Sequence, residues 1–287
     1  LAYLETGCGG ENKAILLGKK QCRSIFEKKF NFALESMEME THPADFMQRC
    51  FDLARLGAGS TTPNPMVGAV LVHEGRIIGE GYHQAYGQAH AEVNAVRSVA
   101  PADRGLLPYA TLYVSLEPCS IYGKTPPCTE LILKHRIPRV VLACLDRTAG
   151  VNGAGVQRLR AAGVQVEVGL RQAAGERLSS IRNTYVAQQR PYVLLKYAQS
   201  ANGCFAPAEA RQLWLTNAFT RRLVHKWRSE IDAILVGPNT ARIDNPQLDN
   251  RLYFGRSPCR VTFDRGGTLP PSLALFDGRS PTLLFGA

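Results

Sequence analysis

No apolar run in the 287-residue sequence approaches the roughly 20 residues that a membrane-spanning helix requires, which excludes a helical membrane domain. The opening stretch "LAYLETGCGG" has no basic n-region, no apolar centre and no small-residue cleavage site, so cytoplasmic residence is the expectation. Cysteine is sparse. The eight present are scattered rather than framed as in small secreted scaffolds, and Cys50, Cys144, Cys204 and Cys259 stand singly, as reduced thiols do. The formal charge of +10 has no single basic block behind it, apart from "RRLVHKWR" at 221–228, and no strand interleaves aromatic with basic residues. A nucleic-acid partner is therefore not expected. The cations form either a solvated basic surface or contacts for an anionic small molecule such as a phosphate ester.

What is present begins to organise after residue 42. Residues 1–42 mix charges without helical or strand period and do not begin with Met, so they read as a non-native or disordered extension, with Met37 or Met39 as a natural start. Phe46, Cys50, Leu53, Ala54 and Leu56 recur at helical spacing and stop at Gly57. "MVGAVLV" and "GRIIGEGYH" read as a hairpin, followed by alternating helices and strands through "VQVEVGL". This order predicts an α/β layered domain over 43–170, its sheet mostly parallel beyond the hairpin. A helical connector over 171–190 leads to a second α/β unit over 191–287, with strands at "YVLLKYAQS", "IDAILVG", "CRVTFD" and a buried "TLLF". Fewer than a hundred residues follow Pro191, which is thin for a complete cofactor-binding domain, so the second unit is expected to be incomplete.

The chemistry gathers in "HAEVNAV" and "EPCSIYGKTPPC". His90, Cys119 and Cys128 supply one imidazole and two thiolates, a set suited to tetrahedral zinc, and three ligands leave a fourth position for water. Glu92 is two residues from His90, placed to shuttle a proton without joining the metal. Zinc deaminases carry H-x-E followed by P-C-x-x-C. Here "HAE" and "PC" match, while the second cysteine is displaced, with eight residues between Cys119 and Cys128. Cys128 follows two prolines and starts a helix, which favours its thiolate.

With these residues in view, "TPNPMVGAV", "GEGYHQAYGQAHAEVNAV", "TLYVSLEPCSIYGKTPPC" and "HKWRSEIDAILVGPNTARIDNPQL" resemble the bifunctional RibD family of riboflavin biosynthesis, from about residue 44 onward. That family joins a zinc-dependent pyrimidine deaminase to an NADPH-dependent reductase. The resemblance implies a cytidine-deaminase-like three-layer domain with a mixed sheet, then a partial dihydrofolate-reductase-like α/β domain. It also implies a phosphoribosyl pyrimidine substrate, deaminated by the first domain, and self-association. His90, Cys119 and Cys128 then match zinc ligands, Glu92 the proton donor and acceptor, and Asn64, His83 and Lys124 contacts to the pyrimidine or its phosphoribosyl arm. In the second domain Lys196, Ala198, Trp214, Thr216, Thr240 and Asp244 match cofactor or catalytic positions, and Arg228, Leu248 and Arg251 substrate positions.

Two residues depart from the family pattern. Ile121 stands where a His is usual, which implies altered substrate binding with the metal shell untouched, and Asn202 stands where "SLDG" has Asp. With the second unit incomplete, little reductase activity is expected. Two other readings stay open on the sequence: a zinc deaminase acting on another base or nucleotide, and a non-catalytic assembly subunit stapled by zinc.

Overall fold

The computed structural model describes residues 42–286 except 124, 149, 208 and 210. The extension expected over 1–42 lies, but for His42, outside the described residues. Among the described residues no helix is long and apolar enough to cross a membrane.

The first unit is built on five strands: β1 (Gly68–His73), β2 (Arg76–Tyr82), β3 (Thr111–Val114), β4 (Arg139–Leu142) and β5 (Gln165–Val168), in the order β2-β1-β3-β4-β5. The β1–β2 and β1–β3 pairs are antiparallel; β3–β4 and β4–β5 are parallel. Strand side chains alternate between faces, and here both faces are buried. Ala69, Leu71, Leu112, Val114, Val140 and Leu142 face a core shared with α2 (Ala91–Ser98), α3 (Cys128–Lys134) and α4 (Ala154–Ala161). Val70, Val72, Tyr113 and Val141 face the other core, under α1 (Pro43–Arg55) through Phe46, Met47, Cys50, Phe51 and Leu53. Each fully buried Val or Leu contributes about 1.5–3 kcal/mol to holding the layers together. Leu56, expected on the apolar face of α1, lies beyond the last helical residue and is exposed.

Two glycines set how closely α2 can approach the sheet. A Cβ on Gly79 or Gly81 would come within 2.5 and 2.4 Å of the Ala95 backbone. That approach fixes the start of α2, where His90 and Glu92 sit. The connector forms two short helices, α5 (Gln172–Leu178) and α6 (Ser180–Gln188).

The second unit carries α7 (Ala218–Glu230), β6 (Ala233–Val236), α8 (Pro238–Asp244), β7 (Cys259–Phe263) and β8 (Thr282–Phe285), the strands forming a parallel sheet in the order β6-β7-β8. Asn217 caps α7, its side chain accepting from the Thr220 N–H at 2.9 Å, a contact that stabilises a helix by about 1 kcal/mol. Two expectations fail here. "YVLLKYAQS" forms no strand: it pairs with neither sheet edge, and Tyr192, Val193, Leu194, Leu195 and Tyr197 are exposed. "TLLF" is a strand but not a buried one, because β8 is an edge and Leu283, Leu284 and Phe285 are exposed.

Candidate active site

The register of the first sheet brings four chain segments to one end. Gly68 at the start of β1 pairs with Tyr82 at the end of β2, and Ala69 with Val114 at the end of β3. Val114 pairs in turn with Leu142 at the end of β4. Asn64 before β1, His83 after β2, Cys119 after β3 and Asp146 after β4 therefore converge, and all line one cavity of about 290 Å³. Ligands in layered α/β folds bind beyond the carboxyl ends of parallel strands, as β3 and β4 do here.

At the cavity floor His90 precedes the first turn of α2 and Cys128 opens α3. The His90 Nδ1 atom is 3.5 Å from Cys119 Sγ and 3.3 Å from Cys128 Sγ, and the three ligand atoms lie within 4.8 Å of one another. A tetrahedral zinc with ordinary bond lengths separates a sulfur and a nitrogen ligand by about 3.6 Å, so the set fits zinc in both spacing and donor chemistry. The Cys128 backbone N–H donates to Cys119 Sγ at 3.3 Å. Hydrogen bonds from Cys128 and His90 pull the Cys119 thiol well below its ordinary range, while Cys128 is held above it by its bond to Cys119 and by burial.

Glu92 is buried, and burial, followed by the neighbouring Cys119 charge, raises its pKa above the usual carboxyl range. His83 is also buried, which lowers its pKa. Its Nδ1 is 3.0 Å from the Ala89 carbonyl, which can only accept, so Nδ1 carries the proton. Nε2 then accepts from Asn64 Nδ2 at 3.1 Å. His83 is in this way a neutral group that orients Asn64, whose side chain lines the cavity. Lys124 lies outside the described residues. Ile121 lines the cavity and is half exposed.

Several residues here escaped the sequence reading. The buried Glu117 carboxylate accepts from four backbone N–H groups: Asp146 (3.2 Å), Gly153 (2.9 Å), Gly155 (2.9 Å) and Val156 (3.3 Å). It ties the strand that delivers Cys119 to the loop that delivers Asp146, Thr148 and Val151 to the cavity. Its place before Pro118-Cys119, upstream of the helix-opening "GAG", was the available signal. Asn94 holds the loop before His90 by donating to the Tyr82 carbonyl at 2.8 Å.

The residues expected in the second unit fall into two groups. Arg228 and Arg251 come together around His225: Arg228 Nη1 is 3.5 Å from His225 Nε2, and the Arg251 N–H donates to His225 Nδ1 at 3.1 Å. Leu248 is buried in the apolar cluster with Ala241, Leu269 and Leu275 rather than open to a ligand. Lys196, Ala198, Trp214 and Thr216 lie on an irregular segment, Lys196 and Trp214 exposed, with Arg221 over the Trp214 ring at 5.2 Å. No described hydrogen bond joins them to Thr240 or Asp244 on α8.

Residues 40–144 match the cytidine and deoxycytidylate deaminase zinc-binding region, and residues 191–287 match the RibD C-terminal domain. The chain is 41% identical over 231 residues to the riboflavin biosynthesis protein RibD of a Synechocystis species, covering 80% of this chain and 62% of that protein. It is 39% identical over 239 residues to RibD of Escherichia coli, covering 79% and 64%. Among solved structures it is similar to a diaminohydroxyphosphoribosylaminopyrimidine deaminase/5-amino-6-(5-phosphoribosylamino)uracil reductase from Thermotoga maritima. The TM-score there is 0.80 at 41% identity, covering 85% of this chain and 69% of that one. RibD of Acinetobacter baumannii gives a TM-score of 0.77 at 37% identity, with the same coverage. The chain thus spans less than two thirds of the length of the Synechocystis and Escherichia coli relatives.

Proposed function

The chain belongs to the RibD family, and from that premise we propose that residues 43–170 act as a zinc-dependent deaminase in riboflavin biosynthesis. The substrate is 2,5-diamino-6-(5-phosphoribosylamino)pyrimidin-4(3H)-one, whose 2-amino group is replaced by oxygen from water and leaves as ammonia. The observation that carries this reading is the set of His90, Cys119 and Cys128 within 4.8 Å of one another, with the buried Glu92 lining the same cavity.

When bound to His90, Cys119 and Cys128, zinc would supply Lewis-acid activation of a water molecule. Glu92 handles the protons. Burial makes its carboxylate a stronger base: it takes a proton from the attacking water and delivers it to the ring nitrogen, then takes the remaining hydroxyl proton and delivers it to the departing amine. Asn64, oriented by the neutral His83, presents an acceptor oxygen to the N–H edge of the pyrimidine. Glu92 also weighs against a purely structural zinc, which has no use for a buried carboxyl beside an open cavity. Ile121 at the cavity favours one further reading, a deaminase for another base or nucleotide.

The second unit belongs in this proposal to NADPH-dependent reduction of the ribosyl group, with Arg228 and Arg251 apt for the substrate phosphate. Cytoplasmic residence is part of the proposal, supported by the free, buried Cys50 and Cys144. The test is ammonia release from the diaminopyrimidine substrate by zinc-loaded and chelator-stripped protein. Release that tracks zinc content supports the reading; no release from zinc-loaded protein overturns it.

A further inference from the structure

One cation lines the cavity with no direct ion pair among the described residues; the Asp146 carboxylate reaches it only through the Thr148 hydroxyl. Arg182 on α6 is the one Lys or Arg side chain that lines it among the described residues. The Nη2 atom donates to Thr148 Oγ1 at 3.3 Å, Nε is enclosed without a hydrogen-bond partner, and the guanidinium forms no described ion pair. The carboxylates around the cavity are otherwise engaged. Glu117 is taken up by four backbone N–H groups, and Asp146 Oδ1 accepts from the Thr148 N–H and hydroxyl at 2.8 and 2.6 Å. Glu92 lies buried beside the thiols. The Thr148 hydroxyl donates to Asp146 and accepts from Arg182, which holds the guanidinium at the cavity lining.

A cation partly withdrawn from water and left unpaired is costly until an anion meets it. A guanidinium offers parallel N–H donors that match phosphate oxygens. We propose that Arg182 is a phosphate-binding residue of this cavity, taking the phosphoryl group on the substrate's ribosyl arm; the inference rests on the deaminase reading above. It assigns to the connector helix, through Arg182, a role in substrate selection.

Calorimetric titration of the zinc-loaded full chain tests it, in an Arg228→Gln/Arg251→Gln background that removes the phosphate contacts proposed for the second unit, with 5-amino-6-(5-phosphoribosylamino)uracil and its dephosphorylated counterpart as ligands. Arg182→Gln should weaken the phosphorylated ligand about 10- to 100-fold, the range of a charge-assisted hydrogen bond, and the dephosphorylated one by less than about threefold. Zinc content should not change, and Arg182→Lys should recover part of the loss. Equal weakening of both ligands, matched by Thr148→Val, would mean that Arg182 only orients Asp146, and the proposal would fall. No weakening of either ligand would overturn it as well. Wild-type protein that binds neither ligand would sink the deaminase reading and this inference together. Protein that binds both yet releases no ammonia would sink the deaminase reading alone, the affinity ratio still deciding Arg182.

Discussion

Glu117→Gln isolates the tie between the Cys119 strand and the loop carrying Asp146 and Thr148. In the wild type, Oε2 accepts from Asp146 and Gly153, and Oε1 from Gly155 and Val156. The Gln amide keeps one acceptor oxygen and turns its NH₂ toward the other two N–H groups, which are left without a partner. Each buried donor left unsatisfied costs about 1–3 kcal/mol, so the variant should lose about 2–6 kcal/mol. That is a large part of the roughly 5–15 kcal/mol that holds a domain folded. Urea unfolding followed by circular dichroism reads the loss as a lower midpoint at unchanged slope. Amide hydrogen exchange localises it: two of the four N–H groups should exchange at least about 30-fold faster, the equivalent of 2 kcal/mol. A loss below about 0.5 kcal/mol with unchanged exchange would refute the reasoning, since it would show that the carboxylate is not what satisfies these amides.

Cys119→Ser should reduce bound zinc from about one per chain to a small fraction, with ammonia release falling in parallel, as metal analysis of the same samples would show. Ile121→His should lower KM for the phosphoribosyl substrate about 2- to 10-fold, the worth of one neutral hydrogen bond, with kcat little changed; an unchanged KM would detach residue 121 from binding. His225 gives a pH prediction. Burial first, then the charges of Arg228 and Arg251, depress its pKa, with Asp249 opposing, and Nδ1 accepts the Arg251 N–H. A depressed folded pKa means stability that is present above the unfolded value of about 6.5 and lost as pH falls through the folded value. The unfolding midpoint should therefore drop more steeply below pH 6.5 in the wild type than in His225→Asn, which keeps an acceptor that does not titrate. Equal slopes would refute it.

The first unit was legible in the sequence because each local signal agreed with its neighbours. The short continuous apolar run "GAVLV", helical spacing in "PADFMQRCFDLAR" and the glycines before α2 each specify an element without reference to distant residues. The residues brought together at the candidate metal site were legible for a different reason: their chemical types are rare in combination. Glu117 and Arg182 were not legible, because a carboxylate that binds amides and a guanidinium that faces a cavity differ from solvated charges only through contacts 29–39 and 34 residues away in the chain. "YVLLKYAQS" failed in the opposite direction. Its β-branched and apolar residues read as a strand, but a strand exists only with a ladder partner, and this segment has none among the described residues.

The most direct test of the central claim is isotopic. Zinc-loaded protein, given the diaminopyrimidine substrate in ¹⁸O-water, should place one labelled oxygen in the pyrimidine product for each ammonia released. Glu92→Gln should retain zinc while both signals fall by about 10²–10⁴-fold. Ammonia release without label, or undiminished turnover in Glu92→Gln, would contradict the assignment of this cavity as a hydrolytic deaminase centre.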